Sequence, residues 1–181
     1  PDKKLRITHM DTEGSNEPLV EGMLPPNLTH LTMGRNFNQV LEPGILPDKL
    51  THLTFHNYIN GSSRGFNQPL AVGVLPESLL ELKFGSSFKQ PLEPGVLPVN
   101  LTHLTINELT PGVKLPHGLR HLTFNHHAGN QDLLSDVLPS GLTHLELPRA
   151  FNQPLTIDDI EHLPNLTHLT FPKLSSYFNQ P

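Results

Sequence analysis

Residues 66–84 read FNQPLAVGVLPESLLELKF, and this phrase decides the fold because it returns, with changes, from one end of the chain to the other. Leu-Pro pairs begin at Leu24, Leu46, Leu75, Leu97, Leu115, Leu138 and Leu163. Each is followed by a Leu-x-x-Leu-x-apolar phrase, opening at Leu28, Leu50, Leu79, Leu101, Leu119, Leu142 and Leu166. With the second leucine as marker, the repeats stand at Leu31, Leu53, Leu82, Leu104, Leu122, Leu145 and Leu169, at steps of 22, 29, 22, 18, 23 and 24 residues. A phrase around Leu5 and Ile7 (KLRITHM) is expected to supply an eighth strand at the start. Self-similarity at this period signals a solenoid, in which each unit buries its apolar face only against its neighbours. Residues 1–181 are therefore expected to form one solenoid of about eight strands.

Within a unit, His30-Leu31-Thr32-Met33 alternates as a strand does, with Leu31 and Met33 inward and His30 and Thr32 outward. Stacked in parallel, such strands form one sheet. The glycines after them, Gly34 and Gly85, are expected at turns needing positive φ. Then comes Phe-Asn-Gln-Pro-Leu, at Phe37 (FNQVL), Phe66, Phe88 (FKQPL), Phe151 and, truncated, Phe178. Its Phe and Leu read as core. Its asparagines read as a ladder closing backbone groups that have no strand partner, through Asn38, Asn67, Asn152 and Asn179, with Asn16 and Asn130 as further members and Lys89 as a break. Pro43-Gly44, Val72-Gly73 and Pro94-Gly95 oppose helix, so the convex side is expected to be mostly turn and extended backbone. The exception is 157–162, where Thr156 can cap a short helix whose first turn is acidic.

Two steps depart from the period. The 29-residue step carries an insertion at 56–65, a loop whose Tyr58 and Arg64 are candidate contacts. The 18-residue step lacks the Phe-Asn-Gln phrase, so irregular packing is expected around Asn107 and Leu109.

These phrases carry a resemblance. Phe-Asn-Gln-Pro-Leu, a Leu-Pro pair and then Leu-Thr-His-Leu-Thr-Phe resemble the FNIP-repeat branch of the leucine-rich repeats, over nearly the whole chain. Proteins of that family are known mainly from social amoebae and large DNA viruses, and some carry an F-box. The resemblance implies a right-handed leucine-rich-repeat solenoid with a parallel sheet on its concave face, serving as an interaction scaffold without enzyme activity. The chain departs from the pattern in its Gln where the family name has Ile, at Lys89 and at Gly129, and no F-box is visible.

Composition narrows the alternatives. Charged residues are 16% of the chain and the formal balance is -5, with no basic cluster, which disfavours nucleic acid. The absence of cysteine excludes disulfides and thiolate metal sites, and with the lack of a signal peptide it points to an intracellular, cytoplasmic setting. No apolar run approaches the roughly 18 residues that span a bilayer. The chain begins Pro1-Asp2 and stops in mid-phrase at Pro181, which reads as a fragment with an incomplete last repeat.

The candidate surface is a column of histidines at one strand position, His30, His52, His103, His121, His144 and His168, interrupted by Glu81. Strands about 4.8 Å apart would set them in a row. Beside it runs a second row, Thr32, Thr54, Lys83, Thr105, Thr123, Glu146 and Thr170. The first reading is a protein partner docked on these two rows. The second is a metal- or pH-responsive surface, with His103, His121, His144 and His168 as the candidate ligands. The bland reading is preferred strand text with stacked rings. A third possibility is self-association through the open ends. No cofactor is implied. A Ser-His-Asp site from Asp132, His126, His127 and Ser135 is rejected, because no nucleophile elbow surrounds the serine. Asn-x-Ser/Thr sites at Asn27, Asn60, Asn100 and Asn165 matter only in a secreted chain.

Overall fold

The computed structural model describes residues 6–56, 65–125, 128, 137–153 and 160–171. Eight short strands stand in chain order in a single parallel sheet: β1 (His9–Asp11), β2 (His30–Met33), β3 (His52–Phe55), β4 (Glu81–Lys83), β5 (His103–Ile106), β6 (His121–Phe124), β7 (His144–Glu146) and β8 (His168–Thr170). The register keeps equivalent letters paired, as in His30 with His52, Leu31 with Leu53 and Thr32 with Thr54. A one-residue slip would turn every buried leucine outward, so the alternation itself fixes the register. Seven of the eight strands lie where the Leu-x-x-Leu phrase places them.

The first strand is a correction. It occupies His9–Asp11, just beyond Leu5 and Ile7, with His9 opposite His30 and Met10 opposite Leu31. Ile7-Thr8-His9-Met10 stands for Leu28-Thr29-His30-Leu31; the leucine pattern hides the match because Ile and Met fill both leucine places.

In the returns from β1 to β2, β2 to β3 and β4 to β5 the chain turns three times, and each turn is closed by one N–H to C=O bond three residues back. In one repeat these are Phe37 N–H to the Gly34 carbonyl, Ile45 N–H to Glu42 and Leu50 N–H to Pro47, at 2.9, 3.3 and 3.0 Å. The middle turn needs a left-handed residue in its third position, which Gly44, Gly73, Gly95 and Gly112 supply at φ between 85° and 88°. Turns in this density leave no room for helix, and no α-helix occurs among the described residues. Of the helix expected at 157–162, residues 157–159 lie outside the described residues and 160–162 form a turn.

Gly34 and Gly85 have a different reason from the one expected. Neither is left-handed; instead a Cβ on Gly85 would meet the His56 carbonyl oxygen at 2.5 Å, and one on Gly34 would run into the Glu13 carbonyl. These glycines admit the preceding repeat's backbone.

The core is a column of leucines (Leu28, Leu50, Leu79, Leu101, Leu119 and Leu142 are all fully buried) flanked by stacked phenylalanines. Phe37, Phe66 and Phe88 follow one another with centroids 6.1 and 6.0 Å apart. Phe55 and Phe84 pack against that file at 4.1 and 3.9 Å. Parallel displaced rings of this kind add to the burial of their area.

The short repeat is more regular than expected. Strands β5 and β6 pair over four residues, and Val113 N–H closes the usual convex turn on Thr110. What the missing Phe-Asn-Gln phrase changes is confined to the arch after β5, where the buried Asn107 donates its amide to the carbonyls of Phe88 (2.7 Å) and Gly85 (3.2 Å).

Candidate interaction surface

The outward positions of the eight strands build the candidate surface. Their imidazoles stack in two files: His9, His30 and His52, with centroids 4.1 Å apart, and His103, His121, His144 and His168, at 4.1 to 4.2 Å. Glu81 separates the files. Its carboxylate accepts from Lys83 Nζ at 2.5 Å and stands 3.7 Å from His52 Nε2. Thr32, Thr54, Thr105 and Thr123 line the neighbouring row, half-buried, with Thr170 and Lys83 exposed and Glu146 half-buried. All fourteen strand residues expected on this face are therefore brought together on it. His9 and Asp11 extend the rows and were missed with the strand that carries them.

Each ring is set by the residue before it. Thr8, Thr29, Thr51, Thr102, Thr143 and Thr167 place Oγ1 2.8 to 2.9 Å from Nδ1 of the following histidine. His121 is the exception: Arg120 precedes it, and its buried Nδ1 meets no hydrogen-bond partner among the described residues. Arg120 turns instead to the Gly141 carbonyl, at 3.1 Å.

Burial first, then the positive charge of neighbouring imidazoles, lowers the pKa of His30, His121 and His144. For Glu81 burial pushes the other way, but the hydrogen bond and charge of Lys83, with His52 and His103, outweigh it and the pKa falls. Metal binding finds no support in the geometry. Nearly parallel rings direct their lone pairs side by side, whereas a tetrahedral ion needs them to converge. Among the described residues no group of three or more His, Asp or Glu could hold a metal ion, and His103, His121, His144 and His168 form none.

The asparagine ladder exists, with Asn16 as its first member, and lies nearer the surface than expected. Asn16 Oδ1 accepts from Asn38 N–H (2.8 Å), Asn38 Oδ1 from Asn67 N–H (2.9 Å), and Asn67 Oδ1 from Lys89 N–H (2.8 Å). Lys89 thus ends the ladder as a backbone donor. The glutamines have a part the sequence did not announce: Gln68 and Gln90 reach back to Asn38 and Asn67. Asn152 is half-buried; Asn130 and Asn179 lie outside the described residues. A second amide pair, buried and unforeseen, joins Asn125 to Asn107 at 2.7 Å and to the Phe84 carbonyl at 3.1 Å. Its only sequence signal is Asn directly after Ile106 and Phe124. Tyr58, Arg64, His126, His127, Asp132 and Ser135 lie outside the described residues.

A parallel sheet with turn-only returns and a leucine column defines a leucine-rich-repeat solenoid, a class of scaffolds. The chain belongs to the FNIP repeat family, whose profile, described as FNIP Repeat, matches residues 16–58, 66–109, 107–149 and 130–174. It is similar to a giant-virus protein solved as "The crystal structure of CroV588 a novel circular LRR protein structure", with 40% identity and a TM-score of 0.77. That match covers 93% of this chain and 24% of the other, so the chain spans about a quarter of that protein's length. No curated protein matches. Repeat scaffolds of this kind are generally non-enzymatic, and no helix among the described residues is long and apolar enough to cross a membrane.

Proposed function

We propose that the chain is a non-enzymatic interaction scaffold that binds a protein partner across the histidine and threonine rows of its concave face. The observation that carries this reading is the continuity of the rows: a rigid sheet presents polar, half-exposed side chains in register from β1 to β8, while the other face is leucine core. A surface held by packing loses little side-chain freedom on binding, which favours recognition. The test is a pull-down from the source cell with the native chain and with a His52→Ala, His103→Ala, His144→Ala variant. The partner should be lost from the variant while its circular dichroism and melting stay native-like; equal capture by both would reject the face. An intracellular site of action and end-to-end pairing of copies remain part of the proposal.

A second reading keeps the histidine row but makes it proton-responsive. It is favoured by the stacking itself, because rings about 4.1 Å apart cannot all be charged without repulsion.

A further inference from the structure

We infer that at neutral pH the histidine row is an array of hydrogen-bond acceptors, and that the partner it takes presents donors: a protein segment rich in lysine or arginine. This rests on the concave face being the binding surface.

The argument begins at the threonines. Thr29, Thr51, Thr102, Thr143 and Thr167 each hold Oγ1 2.8 to 2.9 Å from an imidazole Nδ1. The same Oγ1 atoms stand 3.0 to 3.1 Å from a backbone carbonyl of the preceding repeat, those of Thr8, Thr29, Leu80, Arg120 and Thr143. A carbonyl oxygen can only accept, and two oxygens at that distance attract only with a proton between them. The hydroxyl has one proton, so it donates to the carbonyl. The contact on its other side is then a hydrogen bond only if the ring supplies the proton. A neutral imidazole carries one N–H, which places it on Nδ1 of His30, His52, His103, His144 and His168 and leaves Nε2 as a bare acceptor; that of His52 faces the Glu81 carboxylate at 3.7 Å, so the open acceptors are those of the other four.

Charge points the same way. The fixed charges in or beside the rows are Asp11, Glu81 and Glu146 against Lys83 and Arg120, with Glu13 and Arg35 next to Asp11; Lys83 is held by Glu81, Arg120 is turned to backbone carbonyls, and Asp11 stands 3.9 Å from His56 Nε2. Ammonium and guanidinium groups are donors only and match such a face, whereas carboxylates and phosphates would meet lone pairs and negative charge. Protonation turns each Nε2 into a donor and adds positive charge to both files. Binding of a basic segment must then weaken as the pH falls, with Asp11, Glu13, Glu81 and Glu146 opposing that loss and Lys83, Arg120, Arg35 and His56 adding to it. His121 lies outside the rule, since no threonine fixes its tautomer.

Long-range nitrogen–proton correlation spectra of the whole chain at about pH 8 test the assignment. The five tethered rings should show Nδ1–H, and Nε2–H on most of them would overturn it. A lysine–serine peptide and a glutamate–serine peptide are then added separately. The lysine peptide should shift the resonances of the histidine row, and its affinity should fall roughly tenfold or more at about pH 5. Preference for the glutamate peptide at about pH 8, or response to neither, would overturn the proposal. Thr51→Val, Thr102→Val and Thr143→Val together free the tautomers and should weaken lysine-peptide binding by about fivefold. If that variant does not fold, the native spectra and the peptide comparison still decide. A glutamate peptide that shifts the same row leaves the concave-face reading standing and removes the donor claim; a peptide that shifts only convex residues removes both.

Discussion

At the residue scale, two kinds of asparagine do similar work at different depth. Asn107 and Asn125 are 7% and 6% exposed and satisfy carbonyls that no water reaches. Asn107→Ala takes the amide donor from the Phe88 carbonyl and the acceptor from the Asn125 amide, while Gly85 keeps the Phe88 N–H, and should cost about 2–3 kcal/mol. Asn67 accepts from Lys89 at the surface, where water can replace it, so Asn67→Ala should cost only about 1 kcal/mol. Urea unfolding of the two variants compares them directly, and equal midpoints would contradict the depth argument. Sequence showed the exposed ladder plainly because it repeats inside a fixed phrase. The buried pair was not legible, because its partners, the Gly85, Phe88 and Phe84 carbonyls, lie 19 to 41 residues away.

At the scale of elements, the glycines after the strands and those on the convex turns answer to different forces. Gly85→Ala would push a methyl against the His56 carbonyl, forcing two backbones apart. Gly44→Ala meets nothing within 4 Å and bears only the penalty of a left-handed residue, about 1 kcal/mol. Gly85→Ala should therefore lower the thermal midpoint clearly more than Gly44→Ala. The phenylalanine file gives a second comparison: Phe84→Ala removes a ring 1% exposed, touching Phe88 and Phe55, and should cost about 3–5 kcal/mol in denaturant unfolding. A loss near 1 kcal/mol would mean that the repeats can collapse onto the cavity.

At the scale of the whole molecule, acid should loosen the solenoid. The pKa values of His30, His121 and His144 lie below their ordinary 6.5, so the unfolded chain binds protons that the folded chain resists. Their contribution is complete above 6.5, declines as pH falls from there, and levels off once the folded rings are charged as well. Glu81 has its pKa lowered from 4.5, so its contribution is present above 4.5 and is lost on further acidification. Urea midpoints at about pH 8 and about pH 5 should fall with acid, and His30→Gln with His144→Gln should shrink the fall. A midpoint that rises with acid would contradict the stacked, neutral row.

The sequence by itself determined the solenoid, its parallel sheet, the leucine and phenylalanine core and the outward histidine and threonine rows. It could do so because strand alternation and a repeated phrase are local properties, and in-register stacking multiplies each local choice along the axis. Only the tertiary structure decided that β1 is His9–Asp11, that Gly34 and Gly85 yield space to a neighbour, that Asn107 bonds the preceding repeat where the Phe-Asn-Gln phrase is missing, and that threonine hydroxyls orient the rings. Each of those depends on what the adjoining repeat places within about 3 Å, and a hydrogen bond or a clash at that range is fixed by packing, not by letters along one chain.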